Sequence, residues 1–183
     1  RDIPAADCRF AYRDSRFKHD WRARYIISAI TLRLSKRGAL HTAYPGLREQ
    51  ADKLHNPADV HATVSTLRRS KLPDPAEQPN AGSFFHNPVV SAAHYAALCE
   101  QHPAMPSFAA GADAVKIPAA WLIEQCGFKG ARDGKVGIST QHALVLVNDG
   151  GTATEILAFA GEIQRAVQSR FGLALNIEPT LLE

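Results

Sequence analysis

A proline-rich stretch at residues 71–81 divides this 183-residue chain, and it strongly limits how the chain can fold. It contains Pro73, Pro75 and Pro79 and few apolar side chains. Proline fixes φ and removes a backbone donor, so neither a long helix nor a central strand can run through such a stretch. We therefore predict a domain junction at 71–81, with separate secondary structure on either side.

Before the junction, the sequence predicts one strand and one helix. Residues 25–34 are largely apolar on both alternating faces, which is typical of a buried strand. Asn56 and Pro57 have the pattern of an N-cap followed by a proline in the first helical turn. Apolar residues then recur at helical spacing until about Ser70, so we expect a helix from Pro57 to that point.

After the junction, helix and strand signals are mixed along the chain, which predicts an α+β fold. Thr152 and Glu155 have the spacing of a capping box, and Gly172 lies where the helix that they start would end. Apolar and polar residues alternate at 173–178, which predicts a last strand. The other predicted elements are helices that begin at Ser91 and Pro118, the second stopped by Gly127, and strands at 136–139 and 143–148.

The composition is that of a globular protein, with 45% hydrophobic and 21% charged residues. No apolar run approaches the ~18 residues of a membrane-spanning helix, so we expect no membrane partner. The net charge is +3, and basic residues are not interleaved with aromatic ones. This pattern disfavours nucleic-acid binding and suits small phosphorylated ligands, although most of these charges belong to a solvated surface in the simplest interpretation.

Cysteine and histidine usage argues against disulfides and metal sites. The three cysteines, Cys8, Cys99 and Cys126, are not in Cys-x-x-Cys spacing, which favours free thiols in a reducing compartment. The eight histidines are scattered, and none forms a closely spaced pair with a third ligand as zinc requires. We expect no metal.

The segment 80–88, Asn-Ala-Gly-Ser-Phe-Phe-His-Asn-Pro, is the most informative for chemistry. Gly82 lets the backbone approach a ligand closely, and the two phenylalanines after Ser83 could exclude water beside it. No Gly-x-Ser-x-Gly elbow surrounds Ser83, so a serine hydrolase is disfavoured, whereas a polarised serine in a dry pocket can deliver a proton. The alternative is a strand start whose phenylalanines belong to the core and whose serine is a cap.

This segment resembles the Gly-Ser-Phe-Phe-x-Asn-Pro motif of the UDP-N-acetylenolpyruvoylglucosamine reductase family, flavoenzymes that make UDP-N-acetylmuramate for peptidoglycan. Other stretches resemble the same family in the same order, so the resemblance spans nearly the whole chain. They are Cys-x-Phe-x-Tyr-Arg-x-Ser-x-Phe-Lys at 8–18, Lys-Leu-Pro-Asp-Pro at 71–75, Ala-x-Trp-Leu-Ile-x-x-x-Gly-x-Lys-Gly at 119–130, and residues 142–148 and 175–178.

The resemblance implies an enzyme of the bacterial cytoplasm, expected to be monomeric, that uses FAD and NADPH to reduce UDP-N-acetylglucosamine enolpyruvate. It implies part of an FAD-binding domain at 1–70, a linker at 71–81, a mixed α/β substrate-binding domain at 82–175 and a terminal catalytic strand at 176–183. In the family, a further amino-terminal region carries much of the flavin site. We therefore expect this chain alone to bind FAD poorly and to be inactive, and a flavin-free sugar-nucleotide binding module is the alternative.

The resemblance also implies roles for individual residues. Ser83 would be the proton donor, and Arg13 and Glu178 would hold the substrate carboxylate, with Glu178 protonated. Glu178 is followed by Pro179-Thr180 where the family usually has Val-Arg. The other implied residues are Tyr44, Lys71, Asn87 and His142 for the substrate, and Tyr12, Ser15 and Gly82 for the cofactor.

Simpler structural roles remain open for several of these residues. Arg13 could form a surface salt bridge with Asp14 or Asp7. Glu178 could be a solvent-facing edge residue, since carboxylates are rarely buried. His142 could cap a strand instead of facing a ligand.

Overall fold

The computed structural model describes residues 2–11, 13–36, 38–44 and 46–181. The chain divides into two units, Arg1–Ala39 and Leu40–Glu183. Helices occur together with two small antiparallel sheets, which confirms the predicted α+β class at this level.

The first unit is organised around a cluster of aromatic rings. It contains helix α1, Ala5–Cys8, and a 3₁₀ turn at Arg16–Lys18. The ring of Trp21 lies 5.2 Å from that of Phe17 and 5.3 Å from that of Tyr25. The Arg16 guanidinium lies 4.1 Å from the centre of the Trp21 ring, a cation–π distance. These contacts stabilise the turn through stacking of large side chains.

The predicted strand at 25–34 is wrong. This segment has no regular secondary structure, and Ile26 and Leu34 are 96% and 81% exposed. A strand is stable only when its backbone groups pair with a neighbour. Within the described ranges no strand pairs with this segment, so its apolar alternation alone does not produce one.

The second unit begins with a 3₁₀ helix at Arg48–Lys53 and holds the remaining elements. Its helices are α2 (Pro57–Lys71), α3 (Ala92–Gln101), α4 (Ala119–Gln125) and α5 (Ala153–Phe171). Its strands are β1 (Asn80–Ser83), β2 (Val89–Ser91), β3 (Phe108–Ala109), β4 (Ala114–Lys116), β5 (Arg132–Asp133), β6 (Val136–Ile138) and β7 (Val145–Asn148). In the part of the chain that the structure describes, no helix is both long and apolar enough to cross a membrane.

Strand β7 lies at the centre of the larger sheet. The strand order is β1-β7-β6-β5 in this sheet and β2-β4-β3 in the smaller one, and all pairs are antiparallel. Val145 and Val147 on one face of β7 are each 1% exposed, and Leu146 on the other face is 5% exposed. The strand is also paired on both sides, so both faces and both edges are covered. This burial explains the continuous Val and Leu run that the sequence shows there. Helices α4 and α5 complete the core with Leu122, Ile123, Phe159, Ile163 and Val167.

The predicted helix starts are confirmed. The Asn56 side chain accepts hydrogen bonds from the backbone N–H groups of the first turn of α2, and Ser91 accepts one at the start of α3. Thr152 and Glu155 form the predicted capping box of α5, which ends at Gly172 with φ 67°. Helix α2 continues to Lys71, one residue beyond the predicted end.

The last predicted strand is reduced to a single bridge. Leu173 and Leu175 are buried while their neighbours are exposed, as the alternation predicts. Only Ile177 is paired, however, and its partner is Phe85. The pairing stops there because Pro179 has no backbone N–H to continue a ladder.

The proline-rich stretch forms a turn between α2 and β1. The backbone N–H of Ala76 donates to the Asp74 carboxylate at 2.9 Å, and that of Gln78 donates to the Asp74 carbonyl at 2.8 Å. Aspartate side chains often stabilise turns in this way. Elements on both sides of the stretch belong to the unit Leu40–Glu183.

The capping box of α5 provides a test of the second unit. Thr152→Ala removes the hydroxyl that accepts from the Glu155 N–H. We expect the free energy of unfolding to fall by about 1 kcal/mol, measured by denaturant titration of the circular dichroism signal. Thr154→Ala is the matched control, because Thr154 is exposed within the same first turn. Equal losses for both variants would contradict the assignment.

Candidate functional site

Ser83 lies at the end of a bulged strand. Asn80 of β1 pairs with Val147 of β7, and Ser83 pairs with Val145. The two pairs are three residues apart along β1 and two residues apart along β7. Gly82 lies within this irregularity with φ 73°, a left-handed conformation that glycine adopts readily. Ser83 is exposed. The bulge therefore presents the serine side chain at the surface of the sheet.

The two phenylalanines after Ser83 belong to the core. Phe84 is 5% and Phe85 is 1% exposed, and their rings pack edge to face at 5.3 Å. The structure thus favours a core role for these two phenylalanines over a role in excluding water from Ser83. The alternative role of Ser83 as a cap does not hold, because the next element after Ser83 is the strand β2.

Glu178 lies beside the Ser83 segment. Its backbone N–H donates to the Phe84 carbonyl at 2.9 Å, and the His86 N–H donates to the Asn176 carbonyl at 2.8 Å. The Glu178 carboxylate is 3.6 Å from Nδ1 of His86, and its side chain is 24% exposed. The neighbour is thus an imidazole that can carry positive charge, not the apolar or anionic surrounding that a protonated Glu178 requires.

Sequence reasoning missed His86. The residue occupies the variable position of the Gly-Ser-Phe-Phe-x-Asn-Pro motif, so the motif gave no reason to select it. Its contact with Glu178 depends on the pairing of two distant segments, which no local pattern reveals.

Asn87 has a structural role at the start of α4. Its side-chain oxygen accepts a hydrogen bond from the Ala119 N–H at 2.8 Å, across 32 residues. Pro118, the residue before α4, provides no side-chain cap, so Asn87 supplies one from elsewhere in the chain. With Oδ1 bound to the helix, the Nδ2 group is the part of the side chain that can donate to a ligand.

His142 caps the turn before β7, as the simpler alternative held. Its Nδ1 accepts a hydrogen bond from the Leu144 N–H at 3.2 Å. Burial lowers the pKa of His142 below its ordinary value of 6.5, and the charges of Lys129 and Lys71 lower the pKa further, while Glu124 opposes them. The neutral ring with its proton on Nε2 is therefore favoured, and Nε2–H remains a donor.

A cleft of about 850 Å³ lies next to Gly82. No atom lies within 4 Å of the position that a side chain on Gly82 would take, so the backbone is open on that side. The cleft is lined by Arg68, Arg69, Leu72, Pro73, Asp74, Pro75, Glu77, Gln78, Asn80, Ala81, Gly82, Ser139, Thr140, Gln141 and Val145. Lys71 follows two of these arginines at the end of α2 and is exposed.

Among the described residues that line this cleft, Gly82 is the only predicted site residue, and Ser83, Lys71 and His142 are sequence neighbours of lining residues. Tyr44 is 66% exposed, and its carbonyl accepts from Leu47 at 3.0 Å in a turn. Arg13 and Ser15 belong to the first unit, and Tyr12 lies outside the described residues.

Arg13 lies in a tight turn of the first unit. It has φ 53°, and its carbonyl accepts a hydrogen bond from Lys18 Nζ at 2.7 Å. Asp14, one partner considered for it, lies 2.8 Å from His19 Nε2, and this hydrogen bond lowers the pKa of Asp14.

The described thiols and acidic groups were considered as metal ligands. Cys8 is buried, Cys99 and Cys126 are half-buried, and all three are free. In ranges 2–11, 13–36, 38–44 and 46–181, no group of three or more histidine, cysteine or acidic side chains is arranged to hold an ion.

The environment of His142 can be tested by NMR. We expect its C2–H resonance to titrate below 6.5, because burial and two nearby lysines disfavour the charged ring. The unfolded chain then binds more protons below pH 6.5, so this group lowers folding stability as the pH falls through that value.

The variant Lys129→Gln separates the effect of nearby charge on the pKa of His142 from the effect of burial. This variant removes one positive charge and the ion pair of Lys129 with Glu124, whose charged groups lie 3.0 Å apart. The pKa of His142 should rise but stay below that of a histidine in a model peptide, because burial is the larger cause. A wild-type midpoint at or above 6.5 would contradict the assignment.

Comparison with known proteins identifies the family. The model of the UDP-N-acetylenolpyruvoylglucosamine reductase C-terminal domain matches residues 74–182. The chain is similar to the UDP-N-acetylenolpyruvoylglucosamine reductases of Chromobacterium violaceum (48% identity, 97% of this chain, 53% of the relative) and Cupriavidus pinatubonensis (46%, 99% and 55%). It therefore spans about half the length of the curated relatives it matches. Because the family model matches more than half of the chain, the chain belongs to the UDP-N-acetylenolpyruvoylglucosamine reductase family.

Proposed function

We propose that this chain contributes Ser83 and Glu178 to the reduction of UDP-N-acetylglucosamine enolpyruvate to UDP-N-acetylmuramate. The pairing of two distant segments carries this proposal. The Glu178 N–H donates to the carbonyl of Phe84, the residue after Ser83, so the two functional groups lie on neighbouring backbone segments. Family membership supports the reaction class, because the relatives are named for this reductase activity.

Ser83 delivers the proton of the reaction. When bound, FAD reduced by NADPH would supply a hydride to the methylene carbon of the enolpyruvyl group. Negative charge then develops on the carbon next to the carboxylate, and the Ser83 hydroxyl donates its proton to that carbon. Solvent returns a proton to Oγ, which the exposure of Ser83 permits.

Arg13 and Glu178 hold the substrate carboxylate. A guanidinium stays charged and can bind a carboxylate through two hydrogen bonds, which stabilises the negative charge of the intermediate. Glu178 donates to the carboxylate only when it is protonated. The imidazole of His86, 3.6 Å away, is the group that competes for this proton.

The backbone at Gly82 leaves room for a planar cofactor. The space where a side chain on Gly82 would stand is open, so a flat ring system could approach the backbone at that point. Gly82 would hold FAD there, together with Tyr12 and Ser15 on their own part of the chain.

Lys71, Asn87, His142 and Tyr44 position the substrate. Lys71 provides a positive charge for a phosphate, and the Nε2–H of His142 provides a neutral donor near it. Asn87 donates through Nδ2 while its oxygen caps α4, and Tyr44 donates through its hydroxyl. The cleft of about 850 Å³ is lined by Leu72 and Gln141, the sequence neighbours of Lys71 and His142, and has the volume that small-molecule ligands commonly occupy.

We further propose the domain organisation that the family resemblance implies. The FAD-binding part extends over 1–70, the junction over 71–81, the substrate-binding domain over 82–175 and the catalytic terminal segment over 176–183. The start of the matched C-terminal domain at residue 74 supports a junction in this region. We also propose that the protein acts as a monomer in the bacterial cytoplasm.

Binding of the product tests substrate recognition in this chain. We expect UDP-N-acetylmuramate to bind the chain in isothermal titration calorimetry, and Lys71→Ala to weaken binding by roughly 10- to 100-fold, because a charge-assisted hydrogen bond to phosphate is lost. Lys53→Ala is the matched control, since Lys53 is an exposed lysine at the end of the 3₁₀ helix Arg48–Lys53. Equal affinities of the two variants would count against a role of Lys71 in binding the phosphate.

Kinetics of the holoenzyme test the role of Ser83. Ser83→Ala should leave NADPH oxidation without substrate near the wild-type rate, because that half-reaction needs no proton from serine. Turnover of the enolpyruvyl sugar nucleotide should fall by roughly 10²–10⁴, the usual effect of losing a general acid.

Ser83→Cys is the control for this prediction, since it keeps a protic group of similar size and should retain more activity than Ser83→Ala. Turnover of Ser83→Ala within a few-fold of wild type would make Ser83 structural. Product binding without any turnover of the enolpyruvyl sugar nucleotide by the wild-type protein would instead favour a sugar-nucleotide binding module.

A further inference from the structure

We propose that Asn80 is a positioning residue that sets the direction in which the Ser83 side chain leaves the backbone. This inference rests on the proposed role of Ser83 as proton donor. It adds a function to a residue three positions before the serine, at the other end of the bulge in β1.

The bulge changes which face of the sheet Ser83 occupies. In a regular strand, residues three positions apart lie on opposite faces, because side chains alternate. Here Asn80 and Ser83 both lie opposite valines of the same face of β7, Val147 and Val145. The extra residue therefore reverses the alternation before Ser83, a known way in which bulges redirect a side chain next to an active site.

The Asn80 side chain bonds to the backbone on both sides of its own position. Its oxygen accepts a hydrogen bond from the Gly82 N–H at 2.9 Å. Its nitrogen donates to the Gln78 carbonyl at 2.8 Å and to the Pro73 carbonyl at 3.4 Å. One amide thus connects the glycine of the bulge with the turn that forms a wall of the cleft.

The hydrogen bond from the Gly82 N–H to the Asn80 side chain is the contact that directs Ser83. The extra residue of a bulge leaves backbone groups without a partner on the neighbouring strand. Asn80 Oδ1 satisfies the N–H of Gly82 and holds this residue at φ 73°. Ser83 follows Gly82 directly, so the backbone orientation of Gly82 fixes the direction of the Cα–Cβ bond of Ser83. Loss of the acceptor would release the glycine into its wide range of conformations.

The chain contains a matched control in Asn148. This residue ends the neighbouring strand β7, and both the oxygen and the nitrogen of its side-chain amide also form hydrogen bonds with the backbone. Its oxygen accepts from the Gly151 N–H at 2.6 Å, and its nitrogen donates to the Gly151 carbonyl at 3.0 Å. Asn148→Ala removes the same chemical groups as Asn80→Ala without touching the bulge. Comparable losses of stability are expected from both.

Amide hydrogen exchange of this chain tests the geometry without catalysis. Asn80→Ala should speed exchange at Gly82 by roughly tenfold, the equivalent of one hydrogen bond, whereas Asn148→Ala should leave Gly82 unchanged. Asn80→Asp keeps an oxygen that accepts from Gly82 and should keep its protection, although it no longer donates to Gln78. Unchanged exchange at Gly82 in Asn80→Ala would overturn the proposal.

Holoenzyme kinetics test the effect on Ser83. Asn80→Ala should lower kcat by roughly 10- to 100-fold with little change in KM, because the proton donor is misplaced and not the substrate. Asn80→Asp should restore kcat to within a few-fold of wild type, and Asn148→Ala should retain it. Equal kcat values for Asn80→Ala and Asn148→Ala, or failure of Asn80→Asp to restore kcat, would overturn the positioning role. Should Ser83→Ala itself prove harmless, the proposed function fails while the exchange result at Gly82 still stands.

Discussion

The burial of three successive residues of strand β7 is the constraint on which the rest of the second unit depends. Val145, Leu146 and Val147 are 1%, 5% and 1% exposed, and the strand is paired with β1 on one edge and β6 on the other. A slip of one residue would turn every side chain of a strand to the opposite face. Because the side chains on both faces are buried, a shift of β7 would disturb both faces, and its register is fixed. Its neighbours must adapt to it, including the segment that carries Ser83.

The bulge in β1 is such an adaptation. The strand needs one residue more than β7 to reach its partner positions, and a glycine at φ 73° absorbs the difference. The next two residues, Phe84 and Phe85, then enter the core, while Ser83 stays exposed. Stability and chemistry are therefore divided between adjacent residues. The phenylalanines hold the segment in place, and the serine before them is left available for a ligand.

The parts of this structure that the sequence predicted correctly depend on short-range interactions. The capping box of Thr152 and Glu155 joins residues three apart, so its pattern is visible in the sequence alone. The failures at 25–34 and 173–178 have a common physical cause, because a strand also needs a partner that local alternation does not identify. Likewise, motif resemblance selected Asn87 but could not show that its oxygen caps α4 across 32 residues.

The charges around the proposed phosphate position link ligand binding to protonation. Burial lowers the pKa of His142, and the charges of Lys129 and Lys71 lower the pKa further, so a neutral ring is favoured beside these positive charges. An anion bound beside these lysines would offset their charge and favour the protonated ring. By linkage, a ligand that raises this pKa also binds more tightly when His142 is protonated. With an anion bound there, His142 would gain its charge at a higher pH than in the protein alone.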